Sequence, residues 1–449
     1  MATDPRQMLD ERPMSLLQIA AVSLAVALNA LDGFDVLAIS FASPGIAAEW
    51  SIDQAGLGVV LSLELIGMVI GSLFLGGLAD RFGRRPLILL CLIFMAFGMV
   101  LASTAASVAQ LAAWRVLTGL GIGGMVATLN AVVAEFSSAR RRSLAVALMV
   151  AGYPLGAVLG GSAAAMLLEG GDWRSVFRFG AAATFIMIPL VWFLVPESLS
   201  FLLDRRPAGA LRRINRTLVR MGMPEIDAMP AATAQAGSRR VPILEILSGG
   251  RAATTLLVTA AYFGHIVTFY FILKWTAKLV ADMGFVPSAA ATVLVWVNVG
   301  GIIGGLLFGI LSQRIALKPL AIGILAGSFL SVWLFGSAPA QLAQISLFAA
   351  IAGFFVNAGV ASIYAVFAQA FPSSLRATGT GFGVGAGRGG AILSPIVAGL
   401  FLENGWGLET VVPVMGLGSV LAAIALLKVR LPASPEAPRE APPGVSSPR

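Results

Sequence analysis

Gly76-Gly-Leu-Ala-Asp80-Arg81-Phe-Gly83-Arg84-Arg85-Pro86 joins two long apolar runs, and it returns at one fixed offset as Gly309-Ile-Leu-Ser-Gln313-Arg314-Ile-Ala-Leu-Lys318-Pro319. The copies share a glycine, an arginine, a further basic residue and the proline, while Gln313 stands where the first copy has Asp80. Each copy follows the second apolar run of its half. The chain therefore reads as a parallel repeat of six spans, the plan of transporters that bind near the membrane midplane.

The rest of the chain agrees with that plan. Of its 449 residues 58% are hydrophobic and 12% charged, with a mean hydropathy of +0.89, far from the composition of soluble domains. Runs of about 20 apolar residues predict an all-α polytopic membrane protein of twelve transmembrane helices in two six-helix pseudo-repeats. They lie near 16–42, 55–78, 86–104, 108–134, 142–166, 174–195, 252–281, 288–312, 319–336, 341–366, 376–402 and 410–428. The expected units are an N-terminal segment (1–15), a first bundle (16–195), a solvated linker with short helices (196–251), a second bundle (252–428) and a disordered tail (429–449). Arginines gather in alternate connections, which puts both termini and the linker in the cytoplasm. That placement marks membrane sides and argues against nucleic acid as the partner of a chain with net charge +8. The first helix is too long for a signal-peptide core. One cysteine, Cys91, and one histidine, His265, leave no cluster with metal-ligand spacing, and no cofactor is expected. Twenty-six arginines against four lysines, with abundant alanine, point to a GC-rich bacterial genome and so to an inner membrane.

Asp32 and Asp35 interrupt the first apolar run. An acid near the middle of a span costs about 2.5–3.5 kcal/mol on insertion scales, so it needs a reason. Three residues apart they share a helix face, which Asn29 extends. One reading has them snorkel or cap a helix that Pro44 ends about two turns later. The other makes them a proton or substrate site in the bundle interior. Three cations also lie inside spans: Arg115, Lys274 and Arg388. Arg388 sits near the midplane of its span, and a planar, permanently charged guanidinium suits a bidentate grip on a carboxylate; the alternative is a structural partner for an internal acid. Arg115 could pair with Asp32 or Asp35, or meet a substrate. Lys274, in the outer third of its span, could meet a substrate or snorkel.

The loop 76–85 fits the pattern G-x-x-x-D-R-x-G-R-R and, with the six-plus-six layout, resembles the major facilitator superfamily over almost the whole chain. Arg115 to Gly124 and Gly152 to Gly156 resemble helix motifs of the same family. Asp32-Gly33-Phe34-Asp35 looks like the D-G-x-D of its aromatic acid:proton symporters, as do Pro196-Glu197-Ser198 and the stretch from Arg376 through Arg388. Sugar porters share the Pro-Glu-Ser, but the paired glutamines expected of their seventh helix are absent from 262–270. Two G-x-G-x-x-G matches, at 119–124 and 385–390, follow no strand and carry no dinucleotide site.

The resemblance implies uptake of a small aromatic carboxylate, hydroxybenzoate-like, by alternating access. Asp32 and Asp35 would carry the proton, since two carboxylates withheld from water favour sharing a proton over bearing two charges. Arg388, Arg115 and Lys274 would meet the substrate anion, and Tyr270, Tyr153 and Phe34 its ring; Phe269, Trp296 and Phe354 offer further ring faces. Asn298 and Asn357 are expected to bond between helices, and His265 either relays a proton or is merely hydrogen-bonded. Gly76, Asp80, Arg81, Gly83, Arg84 and Arg85, with Glu135, would form a cytoplasmic gate that breaks when the inner side opens. The expected partners are that carboxylate, the proton and the lipid bilayer, with one copy sufficient. Transport of a sugar or a non-aromatic acid, and proton-driven efflux of aromatic compounds, are the alternatives. An enzyme or a sensor would need a nucleophile with its base, or a folded soluble domain, and the chain offers neither.

Overall fold

A computed structural model of the chain describes residues 4–230, 243–248, 251–429 and 431. Among the described residues twelve helices are long and apolar enough to cross a membrane: α1 Leu16–Trp50, α2 Gln54–Phe74, α3 Arg84–Ser103, α4 Val108–Phe136, α5 Arg142–Leu168, α6 Arg174–Leu194, α7 Ala252–Asp282, α8 Pro287–Leu311, α9 Leu317–Gly336, α10 Leu342–Ala370, α11 Ser373–Glu403 and α12 Leu408–Lys428. The protein is an all-helical, multi-pass membrane protein. Successive helices reverse direction, so the start of α1, the end of α12, the end of α6 and the start of α7 share the near end of the bundle. Connections 51–53, 104–107, 169–173, 283–286, 337–341 and 404–407 share the far end.

Helix pairing repeats with a period of six. The pairs α1 with α5, α2 with α4 and α3 with α6 recur as α7 with α11, α8 with α10 and α9 with α12. The two sets of six meet along α2 and α11, α5 and α8, and α1 and α7. Lipid tails are as apolar as leucine, so close backbone approach does much of the work of association. Along α2 and α4 that approach comes from glycine. A Cβ added to Gly67 or Gly71 would sit 2.3 or 2.1 Å from the Val116 or Leu120 carbonyl, and one on Gly119 or Gly123 would sit 2.1 Å from the Glu64 or Met68 carbonyl. Side chains a turn along these seams, Glu64 and Arg115, are thereby brought face to face.

Two expectations about helices change. Pro44 does not end the first helix, which runs on to Trp50. Proline removes the N–H that would bond the carbonyl four residues back, here that of Ser40, and the Ser43 hydroxyl donates to that same carbonyl at 2.8 Å. The linker is also less solvated than its arginines suggested. Its short helices Leu199–Arg205 and Ala210–Arg220 bury Leu199, Leu202, Ile214 and Leu218 against the near-end core of the first half, leaving their arginines outside. The proline-, alanine- and glutamine-rich stretch from 231 and nearly all of the tail expected to be disordered lie outside the described residues.

Candidate functional site

Seven helices, α1, α2, α4, α5, α7, α10 and α11, surround a cavity of about 260 Å3 between the halves. Its polar lining is Asn29, Tyr153, Tyr262, Tyr270, Tyr364 and Arg388. All four tyrosines of the chain are in that set, and among the described lining residues Arg388 is the single charged one. The Tyr262 and Tyr364 hydroxyls lie 3.2 Å apart with their rings edge to face at 5.6 Å. Phe269 meets Tyr270 in the same geometry at 5.3 Å. Arg388, midway along α11, donates from Nη1 to the Met68 carbonyl and the Ser72 hydroxyl, both at 3.1 Å. Both acceptors are neutral and belong to α2, so Arg388 crosses between the halves while its charge faces the cavity uncompensated by an acid there.

Asp32 and Asp35 stand one to two turns beyond Asn29 on α1. Both are fully buried, and neither carboxylate has a hydrogen-bond partner among the described residues. Gly33 between them faces α5, where a Cβ would lie 2.0 Å from the Tyr153 carbonyl. The glycine is what lets α5 carry Tyr153 up to this turn of α1.

Beside them lies an acid that the sequence reading passed over. Glu64, fully buried on α2, forms an ion pair with Arg115 of α4 and a second, at 3.4 Å, with Lys274 of α7. Neither cation has any exposed side-chain surface. Arg115 also donates to the Asp35 main-chain carbonyl at 2.8 Å and lies over the Phe177 ring, and Lys274 donates to the Val36 carbonyl. Both cations therefore grip consecutive carbonyls of the turn that holds the aspartates. The signal in the sequence was a lone glutamate in the run from Leu57 to Leu75, as costly there as the two aspartates.

Several expected contacts are placed elsewhere. Arg115 and Lys274 are engaged by Glu64 and stay out of the cavity lining. Arg115 reaches Asp35 through its main chain, and Lys274 does not snorkel, because a buried acid in the other half receives it. Phe34 packs edge-on against Phe179 at 5.3 Å and fills the space over Gly160, away from the cavity. Trp296 is 45% exposed on the outer surface of α8, and Phe354 packs on Phe355. Asn298 and Asn357 donate to carbonyls one turn back in their own helices, and the Asn357 amide packs over Gly301 of α8. His265 is buried between the Ser419 hydroxyl and the Val356 carbonyl, 2.9 Å from each.

At the near end Arg84 is the hub of the repeated loop. It pairs with Asp80 at 2.9 Å and Glu135 at 3.1 Å, and its main-chain N–H donates to Glu197 at 2.8 Å. Burial pushes the Glu197 carboxyl up, opposed by main-chain N–H groups from Ser198 and Arg84. Gly83 holds φ +106°, and a Cβ there would strike Glu197 at 2.3 Å. Gly76 opens a short turn of helix after α2. Arg85 lies over Trp192, and Arg81 over its neighbour Phe82. These ion pairs join α3, α4 and the loops of one half to each other. Among the described residues the ion pairs of the expected gate thus lie within the first half at this end.

The family model described as Major Facilitator Superfamily matches residues 25–296 and 257–448. The chain is 29% identical to the gallate transporter of Pseudomonas putida, over 96% of this chain and 97% of that one. It is 32% identical to the 4-hydroxybenzoate transporter PcaK of Pseudomonas aeruginosa, over 94% and 95%. In three dimensions it is similar to the xylose transporter XylE of E. coli in an inward-open conformation, with a TM-score of 0.72, 18% identity, and 92% and 96% of the two chains covered.

Proposed function

The chain belongs to the Major Facilitator Superfamily, and from that premise we propose that it carries a small aromatic carboxylate of the hydroxybenzoate type across the bacterial inner membrane together with a proton. The observation that carries this reading is the cavity, where four tyrosines and Phe269 surround one arginine that no acid among the described residues neutralises. A flat ring fits aromatic walls, and a carboxylate fits a guanidinium. Small-molecule sites run from about 300 Å3 upward, so this one is tight, as suits a single ring. It is complete within one chain, which supports a monomer as the working unit. The relatives that share about 30% identity are named for gallate and 4-hydroxybenzoate.

Charge supplies the coupling. Away from helix ends, the interiors of the twelve helices hold three acids, Asp32, Asp35 and Glu64, and three cations, Arg115, Lys274 and Arg388, among the described residues. With all six ionised the interior is neutral. A monoanion entering the cavity leaves it one charge negative, which a low-dielectric site resists strongly, and one proton restores balance. Asp32 and Asp35, whose carboxylates have no other partner among the described residues, take that proton. One proton per monoanion makes the loaded carrier no more charged than the empty one, so both can reorient. Arginines at the near end orient the termini and linker toward the cytoplasm, so the far end faces outside.

The test is external pH in a lightly buffered suspension of proteoliposomes holding the full chain. Benzoate, 4-hydroxybenzoate and gallate are added in turn, then glucose. Alkalinisation with an aromatic acid that disappears in Asp35→Asn is the expected result. Silence with every acid, or a response to glucose alone, overturns the substrate assignment.

A further inference from the structure

We infer that Glu64 is a coupling residue of this transporter, the acid gripped from both halves at once, and that its bridge to Lys274 holds the far end of the pathway closed. The inference rests on the alternating-access reading above and adds a residue to it. Glu64 lies on α2 immediately before Leu65, which with Met68 lines the cavity. The bridge therefore sits on the far-end side of the cavity. Farther out, among the described residues, the halves meet through apolar packing, with Gly58 against Pro395 and Gly399 against Gln54, and through polar contacts that water can replace cheaply, such as Gln54 with Glu403 at 3.0 Å and with Asp282 at 3.3 Å. Beside it the Ser62 hydroxyl donates to the Ile392 carbonyl at 2.8 Å. Among these cross-half contacts the bridge is the one made of two fully buried opposite charges. Parting such a pair without water is costly, and making it dry again is costly unless the geometry closes fully, so the bridge favours two discrete arrangements over intermediate ones.

The second cation explains how the bridge can open at all. When α7 withdraws, Glu64 keeps Arg115, which belongs to its own half, and Lys274 passes into the water entering the far end. No buried acid is orphaned. The same movement takes Lys274 from the Val36 carbonyl, while Arg115 keeps that of Asp35. Opening thus loosens the turn that carries the proton-binding pair, which links access from outside to loading of the aspartates. The other charged or titratable groups around Glu64 are Asp32 and Asp35 on α1, Tyr153 on α5 and Tyr270 on α7, with Arg388 of α11 a turn farther along α2. Among the described residues Lys274 is the one cation of the other half that reaches Glu64 itself.

The experiment places spin labels at Ala106 and Thr410, exposed far-end positions of the two halves, in the full chain in lipid nanodiscs, and measures the distance distribution by double electron–electron resonance without substrate. The parent should show one short, narrow distance. Lys274→Met and Glu64→Gln should each add a longer distance and raise the open-to-closed ratio roughly 5- to 150-fold, the range of typical coupling free energies. The double variant should open no further than the singles, and Lys274→Arg should stay closed. If Glu64→Gln does not fold, Lys274→Met decides, because it leaves Glu64 paired with Arg115. An unchanged distribution in Lys274→Met overturns the inference, as does full additivity in the double variant. A merely structural role would lower the melting temperature without moving the distance. Since no substrate is present, failure here leaves the aromatic-acid reading standing, and failure of that reading leaves the bridge standing.

Discussion

Among the described residues the first half of the molecule keeps interior acids, and the second keeps none. Asp32, Asp35 and Glu64 lie on α1 and α2 with one cation, Arg115, while the second half contributes Lys274 and Arg388 and, among its described residues, no interior acid. Each half taken alone buries an imbalance of two charges, opposite in sign to the other's. The repeat that makes the halves alike in helix packing is broken in charge, and the proposed exchange of a proton and an anion rests on that break at the interface between them. Duplicated scaffolds give two mobile bodies, and unlike charges give those bodies something to count.

That contrast can be broken outright by putting an acid into the second half. Lys274→Glu sets a carboxylate against Glu64 in a dry site, and breaking a buried pair by removing one partner costs about 3–5 kcal/mol. Its thermal midpoint in detergent should fall well below that of Lys274→Met; equal midpoints would mean that the two halves do not sense each other's charge at this point. Removing the other cation tests binding more than folding. Arg388→Gln loses a charge-assisted contact worth roughly 1.5–3 kcal/mol, so KM for 4-hydroxybenzoate uptake should rise about 10- to 100-fold with little change in melting. An unchanged KM would move the anion site away from α11. The smallest effect should come from Tyr364→Phe, which removes one hydroxyl from the Tyr262 pair. A neutral hydrogen bond is worth about 0.5–1.5 kcal/mol, or roughly two- to tenfold in KM for a ring-hydroxylated acid. Benzoate, which has no ring hydroxyl, should notice nothing, and an equal loss for both would mean that the pair does not read the ring substituent.

The helices were legible because a span must satisfy every backbone group internally, and its apolar run is therefore long and unbroken. The aspartates of the first helix stood out against that background, and the repeated loop revealed the duplication. What stayed hidden were partners. Nothing in a linear reading says that Arg115 and Lys274, 159 residues apart in number, will meet on one carboxylate, since that meeting depends on Gly67, Gly71, Gly119 and Gly123 drawing α2 and α4 together. Glu64 itself was visible and unread, one acid where two had drawn attention. Pro44 misled because its effect is cancelled by the hydroxyl of the preceding residue. The loop arginines could be read together with Asp80 and Glu135 from the sequence, and Arg84 pairs with both.

The chain's four tyrosines all face one cavity, and this gives the protein a reporter group that nobody had to install. Fluorine-labelled tyrosine, incorporated throughout, would yield four resonances and no background from the lipid-facing surface. A ligand entering the cavity should shift them, and one settling anywhere else on the molecule should leave all four where they were.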